Sequence, residues 1–110
     1  MDIHALSRAL VKECYLVTRS FPPDERYSIV RQIGRAAISV YLNINEGCSR
    51  RSISERKRYF EIARGSIIEI DAALDISVDL DFCKAEALTK CGEYIIRSFS
   101  MLSKLMAKSQ

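Results

Sequence analysis

The chain reads as an all-α protein, an antiparallel up-down-up-down four-helix bundle forming a single domain over residues 1–110. Two observations carry that expectation. Apolar residues recur at spacings of three and four through nearly the whole length, the period of one helix face, and the pattern breaks at only three joints. No stretch shows the strict alternation of a half-buried strand. Four helices joined by short turns can bury their apolar stripes together only by running antiparallel to their neighbours.

Ile3, Leu6, Leu10, Cys14, Val17 and Phe21 define a first helix from about Asp2 to Ser20, which Pro22 and Pro23 end. Pro23, Asp24 and Glu25 then favour the start of a second helix, since proline is tolerated in a first turn and carboxylates complement the positive end of the helix dipole. Its inward stripe is Ile29, Ile33, Ala36, Val40 and Ile44, with Gly47 expected to close it as a left-handed cap. Gly34, inside this helix, costs ~1 kcal/mol against alanine and suggests close approach by another helix.

Ser52 with Glu55 has the spacing of a capping box and starts the third helix. Phe60, Ala63, Ile67, Ile70, Leu74 and Ser77 carry its stripe to about Leu80. Asp81 is the expected cap of a fourth helix bearing Leu88, Cys91, Ile95, Ser98, Leu102 and Leu105. Small residues, among them Ala36, Ala37, Ser39, Ala63, Gly65, Ser66, Ala72 and Ala73, gather on the second and third helices and point to close packing of that pair.

Composition narrows the function classes. Hydrophobic residues make up 48% and charged residues 28% of 110, ordinary for a globular domain, and no apolar run approaches the ~18 residues of a membrane span. With no signal or transit pattern at the start, the cytoplasm is the expected location and no membrane contact is expected. Cys14, Cys48, Cys83 and Cys91 form no Cys-x-x-Cys pair and His4 is the sole histidine, so neither a zinc site nor a di-iron site is expected. Cys14 and Cys91 fall on inward stripes, whereas Cys48 in the turn is the expected accessible thiol. No phosphate-binding glycine loop or Ser-His-Asp set is present, so no enzyme and no cofactor are expected.

The charge order is the unusual feature. Between Cys48 and Arg64 stand Arg50, Arg51, Arg56, Lys57, Arg58 and Arg64 against two acids, a local net of +4, whereas Ser66 to Glu86 has a local net of −5. The third helix thus carries cations near its N-terminus and anions near its C-terminus, opposite to what its dipole favours by ~0.3–1 kcal/mol per charge. In the bundle, Arg8, Lys104 and Lys108 join the same pole. Such a rim suits a phosphate backbone, though on a chain of net charge +3 a solvated face is the plainer reading.

Phe21-Pro22 with Glu25, the run Gln32-Ile33-Gly34-Arg35-Ala36-Ala37-Ile38-Ser39-Val40, and Asn43-Ile44-Asn45-Glu46-Gly47 form one continuous signature with Arg50, Ser54, Phe60, Ile62-Ala63-Arg64-Gly65-Ser66 and Glu69. It covers about half the chain and resembles the four-helix bundle proteins encoded in bacterial 23S rRNA intervening sequences, the S23 ribosomal protein family. Asn45 stands where that pattern usually has alanine, and Gly34 replaces a larger residue. The resemblance implies a bundle that assembles into a ring-shaped homo-oligomer, with a pentamer the expected form. At the level of fold alone, the chain is also similar to the accessory variability determinants of diversity-generating retroelements, which are implicated in binding nucleic acid and a reverse transcriptase. Arg35, Asn43, Glu46 and Glu69 are expected to form a structural or assembly network, since half-buried carboxylates need partners. The expected function is a nucleic-acid or ribonucleoprotein accessory role, with RNA or DNA held on the rim of Arg50, Arg51, Arg56, Lys57, Arg58 and Arg64. The alternative is a purely structural homo-oligomer or one that binds a protein partner.

Overall fold

A computed structural model describes residues 1–108. Four α-helices account for most of them: α1 (Ile3–Thr18), α2 (Ile29–Ser49), α3 (Ile53–Asp79) and α4 (Thr89–Lys108). Short 3-10 turns at Pro23–Glu25 and Ala85–Leu88 occupy the first and third joints. The main packing contacts run around a cycle, α1 on α2, α2 on α3, α3 on α4 and α4 on α1, with α2 against α3 the most extensive.

Side-chain pairs fix the directions. Gln32 and Glu69, Ser39 and Ser66, and Gly47 and Phe60 meet in reverse order along α2 and α3. The late residue Cys14 of α1 touches the early residue Cys91 of α4, while Arg64 of early α3 reaches Ser103 of late α4. Tyr15 packs on Gly34 near the start of α2. Each neighbouring pair is therefore antiparallel, and the result is the four-helix bundle that the periodicity implies.

The inward stripes are buried almost as the spacing requires: Leu6, Leu10, Cys14, Val40, Ile44, Phe60, Ala63, Ile70, Cys91 and Leu102 are fully inaccessible. Towards the end of α4 the drift between a seven-residue repeat and a 3.6-residue turn brings Met106 into the core, while Leu105 is half-buried. Asp2 caps α1 by accepting from the Ala5 N–H at 2.8 Å, and Ser52 caps α3 by accepting from Glu55 N–H at 3.3 Å. Phe21, just past α1, is buried with its ring 5.9 Å from that of Phe82.

Three joints differ from the sequence expectation. Pro23, Asp24 and Glu25 wind their own 3-10 turn and do not open α2, because Ser28, at φ −119° and ψ −101°, breaks the helical path before Ile29. Gly47 is not a left-handed cap; it lies inside α2, which continues to Ser49 and ends at the extended Arg50. Its lack of a side chain serves Phe60, whose ring would stand 2.6 Å from a β-carbon placed there. Gly34 makes room for the Tyr15 side chain.

Asp81 likewise caps no fourth helix. It closes α3 from the left-handed region, at φ 62°, with Asp81 N–H donating to Val78 O at 3.0 Å and Phe82 N–H to Ser77 O at 2.9 Å, the Schellman pattern. The start of α4 is thereby delayed to Thr89. A side chain in this region is disfavoured, so Asp81→Gly is expected to stabilise the protein by about 1 kcal/mol, read as a higher urea midpoint with unchanged slope. An unchanged or lower midpoint would contradict this account of the joint.

Candidate nucleic-acid interface

Only Arg50, Arg51 and Ser52 separate α2 from α3, so the basic run begins in a tight turn at the bundle's end. The Arg50 backbone N–H donates to Gly47 O at 3.3 Å, and its guanidinium folds back on α2 and α3. Nη2 donates to Glu46 Oε2 at 3.0 Å and to the Tyr59 hydroxyl at 3.2 Å, with the guanidinium carbon 5.1 Å from the Tyr59 ring centre. Proximity to the Tyr59 phenol, and then the hydrogen bond to Glu46, raise Arg50 above the ordinary arginine range, so its charge is permanent.

Arg56 is held as firmly. Its Nη1 donates to the Cys48 and Arg50 carbonyls at 3.2 Å each, supplying donors to the end of α2, and its guanidinium carbon lies 5.8 Å from the Phe60 ring centre. Carbonyls at a helix C-terminus have no partner within the helix, and a cation there also complements the dipole. Arg64 donates to Ser103 Oγ at 3.5 Å and stacks over Phe99 at 5.6 Å, tying α3 to α4.

The six cations thus fall into two sets. Arg50, Arg56 and Arg64 are half-buried and engaged with the bundle, whereas Arg51 and Arg58 are exposed and Lys57, though equally half-buried, is not engaged. Among the described residues none of the last three makes a side-chain hydrogen bond or an ion pair; the one ion pair joins Arg50 to Glu46. Arg8, Lys104 and Lys108 are exposed at the same end, since α1 starts and α4 finishes there. The bundle measures 43 Å along its longest axis, several Debye lengths at physiological salt, so the acidic end of α3 does little to neutralise this pole.

Arg35, Asn43, Glu46 and Glu69 lie in four distinct settings. Arg35 is exposed on α2, Glu46 belongs to the Arg50 pair, and Glu69 accepts from Gln32 Nε2 across the α2–α3 seam. Asn43 Nδ2 donates to Ser39 O at 2.8 Å and Ser39 Oγ at 3.1 Å, and Ser66 Oγ donates to Ser39 Oγ at 3.0 Å. This last chain is an interhelical polar link whose serines read in the sequence only as small residues. Its available signal was the i, i+4 spacing of Ser39 and Asn43 beside the buried stripe.

Among the described residues no group of three or more His, Cys, Asp or Glu side chains is placed to hold a metal ion, and no helix is long and apolar enough to cross a membrane. Cys48 is not an open thiol of the turn; it is half-buried and packs against the core, as does Cys83. Cys14 and Cys91 are buried with their sulfurs 3.8 Å apart. The hydrogen bond to Cys91, reinforced by burial, pushes the Cys14 thiol well above its ordinary value of 9.0. The folded chain therefore keeps a proton that the unfolded chain releases, and this contribution is complete below pH 9.0 and lost as pH rises beyond it. Stability is expected to fall above that pH by up to ~1.4 kcal/mol per unit from the one proton that the Cys14–Cys91 pair retains, and less steeply when Cys14 and Cys91 are both changed to alanine, because either thiol left alone in the core would hold a proton by burial. Identical slopes in urea titrations of the two proteins would refute this.

The family model described as 23S rRNA-intervening sequence protein matches the chain over residues 1–104. No curated protein matches.

Proposed function

Because the chain belongs to the 23S rRNA-intervening sequence protein family, whose description names a location in an rRNA sequence and no reaction, we propose that it acts by binding and not by catalysis. The reading is of a cytoplasmic, self-associating bundle, a ring of five copies as the sequence resemblance implies, that holds the sugar–phosphate backbone of RNA or DNA on its basic rim. One observation carries it: among the described residues Arg51, Lys57 and Arg58 stand without side-chain hydrogen bonds or ion pairs, in and just after the tight turn between α2 and α3. Arg50, Arg56 and Arg64 support this surface by bracing the turn and the α3–α4 seam, with Arg50 keeping its charge near the backbone it would face.

No module that reads base edges accompanies these residues, so contact would be sequence-tolerant and strongly salt-dependent. Repetition of the rim in an assembly multiplies weak single contacts into useful avidity. Titration of labelled single-stranded RNA and DNA at low and moderate salt tests the reading. Binding that weakens steeply as salt rises is expected for both strands. No binding at low salt would leave a structural or protein-binding homo-oligomer in its place.

A further inference from the structure

Two apolar grooves on the bundle carry opposite charge. Since α1 and α2 form one side of the helix cycle and α3 and α4 the other, their outer seams face away from each other. The α1–α2 seam is a groove of about 500 Å³ where Tyr15, Tyr27 and Ile38 are exposed beside Arg31 and Arg35. The α3–α4 seam is a groove of about 330 Å³ lined by Ile68, Ile96 and Phe99 with Asp71, and Asp75 and Asp79 extend the same seam. Ile96 is 70% exposed and Tyr27 78%, far beyond what a packed side chain retains. Among the described residues none of these arginines and aspartates has an ion-pair partner within its own chain.

We propose that the two seams are the two halves of one head-to-tail contact, the arginine seam of one copy seating on the aspartate seam of the next. This rests on the self-association put forward above and adds which surfaces meet. Charge complementarity selects the pairing. A two-fold contact of either seam with itself would set arginine against arginine or aspartate against aspartate over desolvated apolar surface, which is strongly unfavourable. Unlike seams bring Tyr15, Tyr27 and Ile38 onto Ile68, Ile96 and Phe99, and give the unpaired charges partners.

Position along the bundle points the same way. The arginine seam is built from the end of α1 and the start of α2, and the aspartate seam from the second half of α3 and the first half of α4. In an antiparallel bundle these segments occupy the same half, away from the turn at Arg50 to Ser52. Copies joined through seams at equal height stand side by side with their axes aligned, and the head-to-tail contact closes a ring where the rotation added at each contact closes. All basic rims then emerge on one side of the assembly.

Light scattering at tens of micromolar on three proteins tests the contact: wild type, Arg31→Glu with Arg35→Glu, and Ile68→Asp with Ile96→Asp. All substituted positions are exposed, and unchanged helicity by circular dichroism verifies folding. The wild type is expected to be oligomeric and each variant monomeric. An equimolar mixture of the variants is expected to give a dimer and nothing larger, since one intact seam of each kind remains and the two altered seams repel. Variants that assemble like wild type, or a mixture that stays monomeric, overturn the assignment of these surfaces while leaving self-association in place. A monomeric wild type overturns self-association itself, and with it this contact.

Discussion

Gly47→Ala is expected to destabilise the bundle by ~1–3 kcal/mol, although alanine is by itself the better helix former. The added β-carbon would lie 2.6 Å from Cε1 and 2.8 Å from Cδ1 of Phe60. That ring is wholly buried, so it cannot swing outward to relieve the overlap, and the backbones of α2 and α3 must separate there. Gly65 and Gly92 form the control, because a β-carbon at either meets nothing within 4 Å. Gly65→Ala is therefore expected to stabilise by up to ~1 kcal/mol, the ordinary helix preference. In the Gly47→Ala background, Phe60→Leu should cost less than it does in the wild type, since the two changes affect one shared contact. Urea midpoints read the four variants against the wild type, and a Gly47→Ala protein as stable as wild type would show that the α2–α3 spacing is not set by this pair.

Changing Arg51, Lys57 and Arg58 together to alanine is expected to lower affinity for RNA or DNA at low salt at least tenfold and to flatten its salt dependence. Every phosphate left without its cation reduces the slope of log affinity against log salt by ~0.7–0.9, so a triple change removes about two units. Stability should move by no more than ~0.5 kcal/mol, because among the described residues these side chains have no hydrogen-bond or ion-pair partner. Arg56→Ala should behave in the opposite way. It removes the donor shared by the Cys48 and Arg50 carbonyls and is expected to cost about 1 kcal/mol or more of stability, with a smaller effect on the slope. A triple variant that binds with the wild-type slope would place any nucleic acid elsewhere on the surface.

Burial made most of the architecture legible. The positions from Phe60 to Ser77 are dictated by the period of a helix against a partner, and the structure buries every one of those read from the spacing. The joints were less legible because their geometry depends on what packs there. Gly47 looks like a cap until Phe60 is seen to fill the space beside it, and Asp81 looks like the start of a helix until its left-handed backbone is seen to end one. The basic run was visible as composition, but its division was not. Whether an arginine braces the fold or faces solvent depends on where the carbonyls of α2 and the ring of Phe99 arrive, which only the tertiary arrangement determines.

The bracing by Arg56 has an entropic consequence. A loop that orders only on contact with its ligand forfeits ~1–2 kcal/mol of backbone freedom for each residue fixed, and that loss is subtracted from the binding free energy. Here the Cys48 and Arg50 carbonyls are already tied to the third helix, the Arg50 guanidinium is clamped between Glu46 and Tyr59, and Ser52 is committed as a cap. The turn presents Arg51 from a backbone whose freedom was surrendered during folding, so an anion arriving there would have only the arginine side chain left to order.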